Sequence, residues 1–497
     1  MRALTDKEYG LILGMIANQP TLNNQQILAY FTRPGRDLNH RVIGTLRGGG
    51  TRPGVGRATA TEVELYMKSV ERFWALFPIL GRHQAGASLP RLLLNWWPVG
   101  QGLFSSGAVV TGAGQPLNWT YDCGTSSEKG LLTGALDAFK IQQVACGASS
   151  IRLHVLSHFD KDHISGIIDL LDRLSIKTLL LPYIPLWQRL LVALDFGIGA
   201  DDEFLDFFID PVAWLSNRGG GRIEEIVFVP SLGPDDDLPS SPEGTGIGPG
   251  EDGFDGRVGD LKVEVGGIPE GAAGDPAVAP QIVGVRVRFL KPGGRLIAPH
   301  FWEFVPYNDA TLAIRVTPMF LATVLPLIDE LRTQPERRAT ALEALKATYD
   351  RHFGKSSVAR NKISLFMYSG PLGRRLQLGG GACLSLPMGT TDFAQMYTGD
   401  GLLNDIARYG AFEKFYNSGE RLKRASLFQV MHHGALGSWH TGLAAKVAPR
   451  ISIFSSDPDH PRYRHPHKDV LRDFWNYGAT QVDRINGYAL QRHLIAS

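Results

Sequence analysis

The chain has 497 residues, of which 43% are hydrophobic, and its formal net charge at pH 7 is +2. This length suggests two or three domains of about 150 residues, although one large α/β unit is equally allowed. The near-neutral charge neither demands nor excludes a nucleic-acid partner. Three widely spaced cysteines without a CxxC pair argue against a disulfide framework and against a cysteine-based zinc site.

The amino-terminal residues MRALTDKEYG carry charges where a signal peptide requires an apolar segment. No uninterrupted apolar run reaches the length of about 18 residues that predicts a membrane span. We therefore expect a cytoplasmic protein without a membrane-embedded part.

Residues 1–88 are predicted to form a small helical domain. Helical spacing of apolar residues begins near Ile12, and two further short helical segments are predicted at 24–30 and 38–46. Three short helices with tight turns are typical of a helix-turn-helix. Within residues 1–60, eight basic residues face three acidic ones, so 8 − 3 leaves an excess of five positive charges. The domain is expected to bind nucleic acid. The alternative is a plain helical bundle that docks on the catalytic domain, on a protein partner or on a second copy of the chain.

Residues 89–497 are predicted to form one layered α/β domain, because short apolar runs alternate with turns and helical segments. An insertion around 185–330 is expected to form a lid or to shape the substrate site. It includes a stretch rich in Gly, Pro and Asp at 232–280. One amphipathic helix is predicted near 321–349.

The strongest motif is HVLSHFDKDHISG at 154–166. After an apolar run, His158, Asp160, Asp162 and His163 follow within six positions. A strand that delivers ligands to the loop at its carboxyl end is the usual way in which α/β folds build a site. Imidazole and carboxylate together suit Zn, Mn or Fe, and two ions accommodate four ligands this close more easily than one tetrahedral ion does. The alternative is a charged turn after a strand.

Further ligand candidates follow other apolar runs. Asp400 lies in MYTGDG, His432 and His433 lie in VMHHG, and His465 and His467 lie in RHPHKD. A lone histidine is usually structural. Four separate segments that place His or Asp at strand ends favour a metal site instead.

The order of these motifs resembles the metallo-β-lactamase superfamily, and specifically the soluble nuclease-like domain of ComEC/Rec2-type competence proteins. The matching motifs are VGQG at 99–102, DCG at 122–124, HFDKDHISG at 158–166, NKISL at 361–365, TGD at 398–400, HHG at 432–434 and HPH at 465–467. Two departures are Leu103, where an acidic residue is usual, and Ser165 in place of a glycine. The transmembrane segments of ComEC itself are absent, so DNA transport is not implied.

The resemblance implies a metallo-β-lactamase αββα sandwich that binds two divalent metal ions, Zn²⁺ or Mn²⁺. His158 and Asp160 would hold one ion, Asp162 and His163 the other, and Asp400 would bridge both. His432 or His433 would complete the ligand set; His432 is preferred because it comes first after the strand. A hydroxide held between the ions would be the nucleophile, with Asp162 also counted among the catalytic residues.

The same resemblance suggests roles for residues around the ions. His465 or His467 would steady a phosphate oxygen or protonate the leaving group, unless the segment is only a capped turn before a helix. Gln101, Asn361 and Ser364 are expected to contact the substrate.

The predicted function is metal-dependent hydrolysis of a phosphodiester bond in DNA or RNA. Two alternatives are a small-molecule hydrolase, acting on a cyclic nucleotide, lactone or other ester, and a non-catalytic interaction protein with a remnant site. Several aromatic residues could stack on bases, although a core position is favoured for each: Trp96, Trp97, Trp187, Trp302, Phe304 and Tyr307.

Overall fold

The computed structural model describes residues 4–31, 41–50, 52–68, 89–112, 114–233, 236–240, 257–269, 271–272, 274–278, 284–309, 316–354, 363–374, 376–379 and 386–496. The chain forms two compact units, Met1–Ala85 and Gly86–Ser497. The sequence placed this boundary after residue 88.

The N-terminal unit is helical over its described residues. Its helices are α1 (Asp6–Asn18), α2 (Asn24–Ala29), α3 (Arg41–Arg47) and α4 (60–68). Capping boxes start the first two helices, at Thr5 with Glu8 and at Asn23 with Gln26. Apolar side chains from all four helices share one core. The predicted helix at 38–46 begins within 32–40, which lies outside the described residues.

Two of the arginines behind the predicted basic surface are engaged within this unit. Arg47 donates from Nε to Asn24 Oδ1 at 2.9 Å. Arg52 pairs with Asp6 at 3.1 Å and lies over the Tyr9 ring at 4.7 Å. Nucleic-acid binding by this unit stays a prediction, and it would depend on its other basic residues.

Over its described residues, the larger unit contains two sheets. Their strands are β1 (Arg91–Trp96), β2 (Phe104–Val110), β3 (Leu117–Cys123), β4 (Ser150–Val155), β5 (Ser175–Pro182), β6 (Ile223–Val229), β7 (Lys262–Val263), β8 (Val265–Gly266), β9 (Arg286–Leu290), β10 (Leu296–Ala298), β11 (Trp302–Tyr307), β12 (Phe366–Pro371), β13 (Leu376–Gly379), β14 (Ala394–Tyr397), β15 (Ala425–Gln429), β16 (Ile451–Ser455), β17 (Ala479–Val482) and β18 (Tyr488–Ala496).

Both sheets are mixed. The first has the order β13-β18-β1-β2-β3-β4-β5-β6-β9-β8, and the second has the order β17-β16-β15-β14-β12-β11-β10-β7. Strands β3, β4, β5, β6 and β9 run parallel, as do β14, β15, β16 and β17. The central parallel strands β4, β5, β15 and β16 are buried over most of their length, which explains their near-continuous apolar sequences.

Helices connect the strands. They are α5 (Lys129–Ala145), α6 (Lys161–Ile164), α7 (Ile167–Leu171), α8 (Leu186–Asp195), α9 (Glu203–Ile209), α10 (Pro211–Gly219), α11 (Pro318–Thr333), α12 (Arg338–Phe353), α13 (Ile406–Asn417), α14 (Arg421–Arg424), α15 (Leu443–Val447) and α16 (Lys468–Phe474). Within the described ranges, none of the helices combines the length and the apolar character needed to cross a bilayer.

The two sheets pack face to face through a shared core. Leu153 of β4 and Leu427 of β15 belong to it. Trp119 of β3 contacts Trp302 of β11 with ring centroids 5.5 Å apart, and its indole N–H donates to the Tyr397 hydroxyl at 3.2 Å. Interdigitated side chains of this kind fix the inner faces of a β-sandwich.

Helices cover both outer faces. Leu132 of α5 and Trp214 of α10 belong to the cluster on the first sheet. Phe412 of α13 and Val470 of α16 pack in the cluster on the second sheet, with Phe454 of β16. The order of layers is helix, sheet, sheet, helix, so the predicted α/β class and αββα layering are confirmed.

The predicted insertion at 185–330 is partly core. Strands β6, β9, β10 and β11 all lie within that range and belong to the two sheets. The part of this region that lies outside the sheets is helical. Helices α8 and α9 pack there with α11 and α12, through side chains such as Leu190 and Val324.

The single helix predicted near 321–349 is wrong, because two helices occupy that range. Helix α11 ends at Thr333 and α12 starts at Arg338. Pro335 lies between them; it has no backbone N–H and disfavours helical conformation in the preceding residue, so the chain turns there.

The six aromatic residues considered as base-stacking candidates are all core residues. Each is less than 9% exposed: Trp96, Trp97, Trp187, Trp302, Phe304 and Tyr307. None of them can offer a free ring face to a base.

His154 in the middle of β4 makes acid stability of the fold testable. Its side chain is fully buried, with Nδ1 2.7 Å from Thr120 Oγ1, and burial lowers its pKa from 6.5 to about 3. Below pH 6.5 the unfolded chain takes up a proton here that the folded chain refuses until about pH 3. Stability is therefore lost as the pH falls through that window.

We predict that His154→Gln, which can still accept a hydrogen bond from Thr120, reduces this acid sensitivity. Between pH 7.5 and pH 5, its unfolding free energy should fall by about 2 kcal/mol less than that of the unmodified protein. Urea unfolding at both pH values measures the difference. Equal losses in the two proteins would contradict the prediction.

Candidate metal centre

The candidate centre lies where strand ends from both sheets converge. The 154–166 motif follows β4 of the first sheet, Asp400 follows β14, and the two adjacent histidines 432 and 433 follow β15 of the second. Because β4 is parallel to β3 and β5, and β14 is parallel to β15, these loops all leave the carboxyl ends of parallel strands. The structure brings all seven predicted metal ligands together here.

Four histidines of the centre share one orientation. Each uses Nδ1 for a contact away from the centre: His158 with Ser157 Oγ at 2.8 Å, His163 with Asp122 Oδ2 at 2.7 Å, His432 with Ser438 Oγ at 3.0 Å, and His433 with the Ser455 carbonyl oxygen. Each then presents Nε2 to a carboxylate of the centre. A histidine that ligates a metal is usually oriented by its second ring nitrogen in this way.

Asp400 stands between two groups of these histidines. Its Oδ2 lies 3.3 Å from His432 Nε2 and 3.7 Å from His158 Nε2. Its Oδ1 lies 3.2 Å from His163 Nε2 and 3.6 Å from His433 Nε2. One carboxylate therefore offers an oxygen to each group, which is the arrangement of a bridging ligand.

The two other carboxylates divide between the groups. Asp160 Oδ2 lies 3.7 Å from His158 Nε2, and Asp162 Oδ2 lies 3.1 Å from His433 Nε2. The sequence favoured His432 over His433 as a metal ligand, and the structure does not support that preference. The His433 side chain is 2% exposed and lies with Asp162 and His163, whereas the His432 side chain is 43% exposed. Each group includes one of the two.

The donor set fits divalent metal ions. Three buried atoms, His158 Nε2, His163 Nε2 and Asp400 Oδ1, have no hydrogen-bond partner among the described residues. Buried polar atoms are rarely left unsatisfied, so these three atoms, which are divided between the two groups, favour bound cations. Nitrogen and carboxylate oxygen donors suit Zn²⁺ or Mn²⁺.

The electrostatics of the centre couple metal binding to protons. Burial alone would raise the pKa of Asp400, but His432, His163 and His433 hold it well below its usual range. Burial alone would lower the pKa of His163, but Asp400 and Asp122 raise it well above its usual value. A metal ion must therefore displace a proton from His163, so affinity should fall as the pH falls.

Asp122 is a supporting residue to which the sequence reasoning gave no role. Its Oδ1 accepts from the Ser157 backbone N–H at 2.7 Å, and its Oδ2 accepts from Ser157 Oγ and lies 2.7 Å from His163 Nδ1. Both oxygens are thus used to fix residues 157–163, which form the metal loop. Its position in the DCG motif was the available signal, since a buried acidic residue at a strand end needs a partner.

Close backbone contacts hold the loops in place. A Cβ at Gly124 would lie 2.5 Å from His163 N, so the DCG turn can approach the metal loop only with glycine there. His432 and His433 have positive φ values of 47° and 56°, a conformation that non-glycine residues rarely adopt. Such strain concentrates at functional sites.

The predicted substrate contacts have different placements. Ser364 is buried, and its Oγ accepts from the Asp400 backbone N–H at 3.1 Å, so it positions that ligand. Gln101 is also buried, and its Oε1 accepts from the Asp457 backbone N–H at 3.3 Å. Asn361 lies outside the described residues.

The two histidines of the HPH motif also differ. His467 caps α16, where its Nδ1 accepts from the Asp469 backbone N–H at 3.3 Å, which corresponds to the alternative of a capped turn. The His465 ring instead lies over the centre, 6.0 Å from the His432 ring and 6.5 Å from the His433 ring. Burial and those two rings lower the pKa of His465 to about 4.

Comparison with known proteins adds little information about the function of this centre. A scan against protein-family profiles and a search of curated proteins find no match. Among solved structures, the chain is similar to the metallo-beta-lactamase fold protein YhfI from Bacillus subtilis, at 10% identity and a TM-score of 0.31. The match covers 81% of this chain and 99% of that one. This TM-score is too low to support a conclusion about the function of this chain.

We predict that Asp122→Asn weakens metal binding by about 10- to 100-fold without unfolding the chain, because it disturbs the orientation of His163. Calorimetric titration with Zn²⁺ or Mn²⁺ measures the affinity, and circular dichroism checks the fold. The control is Asp137→Asn, which removes from α5 a carboxylate that pairs with Arg173 and should leave the affinity unchanged. Equal affinities in the Asp122 variant and the control would contradict the supporting role.

Proposed function

We propose that the larger unit is a metal-dependent hydrolase that uses two divalent ions to cleave phosphodiester bonds of nucleic acid. The observation that carries this proposal is the position of Asp400, whose two oxygens face two separate sets of histidine Nε2 atoms. A single-ion site or a structural site has no need for that division.

Two ions bound at this centre would activate water at neutral pH and neutralise charge that develops on a phosphoryl group. The chain itself supplies the geometry. His158, Asp160 and His432 would hold one ion and Asp162, His163 and His433 the other. Asp122 and Ser364 keep the metal loop and Asp400 in position.

The residues above the centre would handle the substrate. His465 is half-buried beside the two adjacent histidines, and its lowered pKa keeps the imidazole neutral at pH 7, so it would accept a hydrogen bond or donate one to a phosphate oxygen. Lys161 is exposed in the metal loop between Asp160 and Asp162, where it adds positive charge for an anionic substrate.

Phosphodiesters are favoured over other esters on two grounds. The motifs resemble a nuclease-like branch in their order over most of the larger unit. The described rim of the centre also carries Lys161 together with Arg462 and Arg464, all three exposed, as a polyanion requires.

We predict that Asp400→Asn and Asp162→Ala each abolish metal-dependent cleavage of DNA and RNA, because each removes a carboxylate of the centre. Labelled single- and double-stranded substrates with Mn²⁺ or Zn²⁺, and with EDTA, measure the activity. Asp405→Asn is the matched control, since Asn still caps α13 and should retain full activity. Undiminished cleavage by both site variants would overturn the proposal.

A further inference from the structure

The segment 458–467, called the rim loop below, joins β16 to α16 beside the metal centre. Both of its ends are fixed to motifs of that centre. Just before the loop, buried Asp457 pairs with Arg484 at 2.5 Å and donates its N–H to Gln101 Oε1 at 3.3 Å. At its end, His467 donates its N–H to the Gly434 carbonyl at 2.9 Å. The rim loop is therefore held at the mouth of the site.

The rim loop carries unpaired positive charge. Arg462 and Arg464 are both exposed, and within the described ranges no carboxylate lies within 4.0 Å of either guanidinium group. Asp459 is the only acidic residue of the loop. Arg464 directly precedes His465, whose ring lies 6.0 Å from the His432 ring. Exposed guanidinium groups without a carboxylate partner among the described residues can bind an external phosphate.

Aromatic rings lead outward from the centre along this loop. The rings of His433 and His465 are inclined by 19° with centroids 6.5 Å apart, and those of His465 and Tyr463 by 18° at 6.4 Å. Tyr463 and His460 continue the row at 28° and 5.0 Å. The Arg462 guanidinium lies 5.3 Å from the Tyr463 centroid. Aromatic side chains combined with arginine are typical of surfaces that bind single-stranded nucleic acid.

We propose that the rim loop is the polynucleotide-binding element of this site and that it selects single strands. Arg462 and Arg464 bind phosphates that flank the scissile one, and an unpaired base lies against the row of rings at Tyr463. This inference rests on the proposed function and narrows its substrate class. A small ester would occupy the metal centre beside His465 without reaching Arg462, Tyr463 or Arg464, so these three residues should matter only for longer substrates.

The test uses the full chain with both arginines replaced, Arg462→Gln with Arg464→Gln. With added Mn²⁺, kcat/KM is compared for a single-stranded DNA of about 15 nucleotides and for bis(4-nitrophenyl) phosphate. We expect about a tenfold loss on DNA, mostly in KM, and no more than about a twofold change on the small ester. Tyr463→Leu should also lose about tenfold on DNA only.

A binding measurement gives a readout that does not depend on catalysis. Fluorescence anisotropy of the same DNA in EDTA, at several NaCl concentrations, should show weaker binding by the double variant. Its slope of log Kd against log salt should fall by about 1.4, at about 0.7 per lost phosphate contact on a single strand.

The matched control removes the same charge elsewhere. Arg450→Gln with Arg472→Gln replaces two exposed arginines, one at the amino end of β16 and one on α16. This control should leave the DNA kinetics and the salt slope unchanged. If it loses as much as the rim-loop variant, or if the rim-loop variant loses equally on the small ester, the inference is overturned.

Failure of the proposed function would look different. In that case the unmodified protein with metal hydrolyses neither substrate. The anisotropy comparison alone then shows whether the rim loop binds single-stranded DNA. Weaker DNA binding and a smaller salt slope in the rim-loop variant then support the inference. Equal binding by both proteins overturns it.

Discussion

The structure depends on one convergence: ligand-bearing loops from two different sheets meet at Asp400. The metal loop comes from the first sheet, and Asp400 and the adjacent histidines come from the second. This meeting requires the sheets to pack face to face with their parallel strands ending at one edge. Buried contacts such as that between Trp119 and Tyr397 fix that packing, and the centre gains rigidity from it.

The centre also contains unfavourable interactions, and metal binding can relieve part of their free-energy cost. Several carboxylates and imidazoles are buried together, three of their atoms lack partners, and His432 and His433 hold a strained backbone conformation. Buried unsatisfied polar groups and positive φ values oppose folding. An ion in each group would satisfy these atoms and tie the loops together. Metal binding and stability of the larger unit should therefore be linked.

The sequence predicted the class of fold and the segments that meet at the centre. Alternating or continuous apolar runs indicate strands, and the ligand-type residues follow directly after those runs. It could not resolve His432 from His433, since that depends on a local backbone conformation that residue spacing does not encode. It also gave Asp122 no role and treated Gln101 and Ser364 as substrate contacts, because burial and hydrogen-bond direction emerge only when loops distant in sequence come together. The break between α11 and α12 was visible at Pro335 but was outweighed by continuous helical periodicity.

The central claim is that Asp400 bridges two adjacent ions, and electron paramagnetic resonance of the Mn²⁺-loaded protein tests it most directly. Two ions sharing a carboxylate lie about 3.5–4 Å apart, so their unpaired electrons should couple and give a spectrum distinct from that of isolated Mn²⁺. The account predicts this coupled spectrum at two ions per chain and its loss in Asp400→Asn. A spectrum of isolated ions at full loading, unchanged by Asp400→Asn, would contradict it.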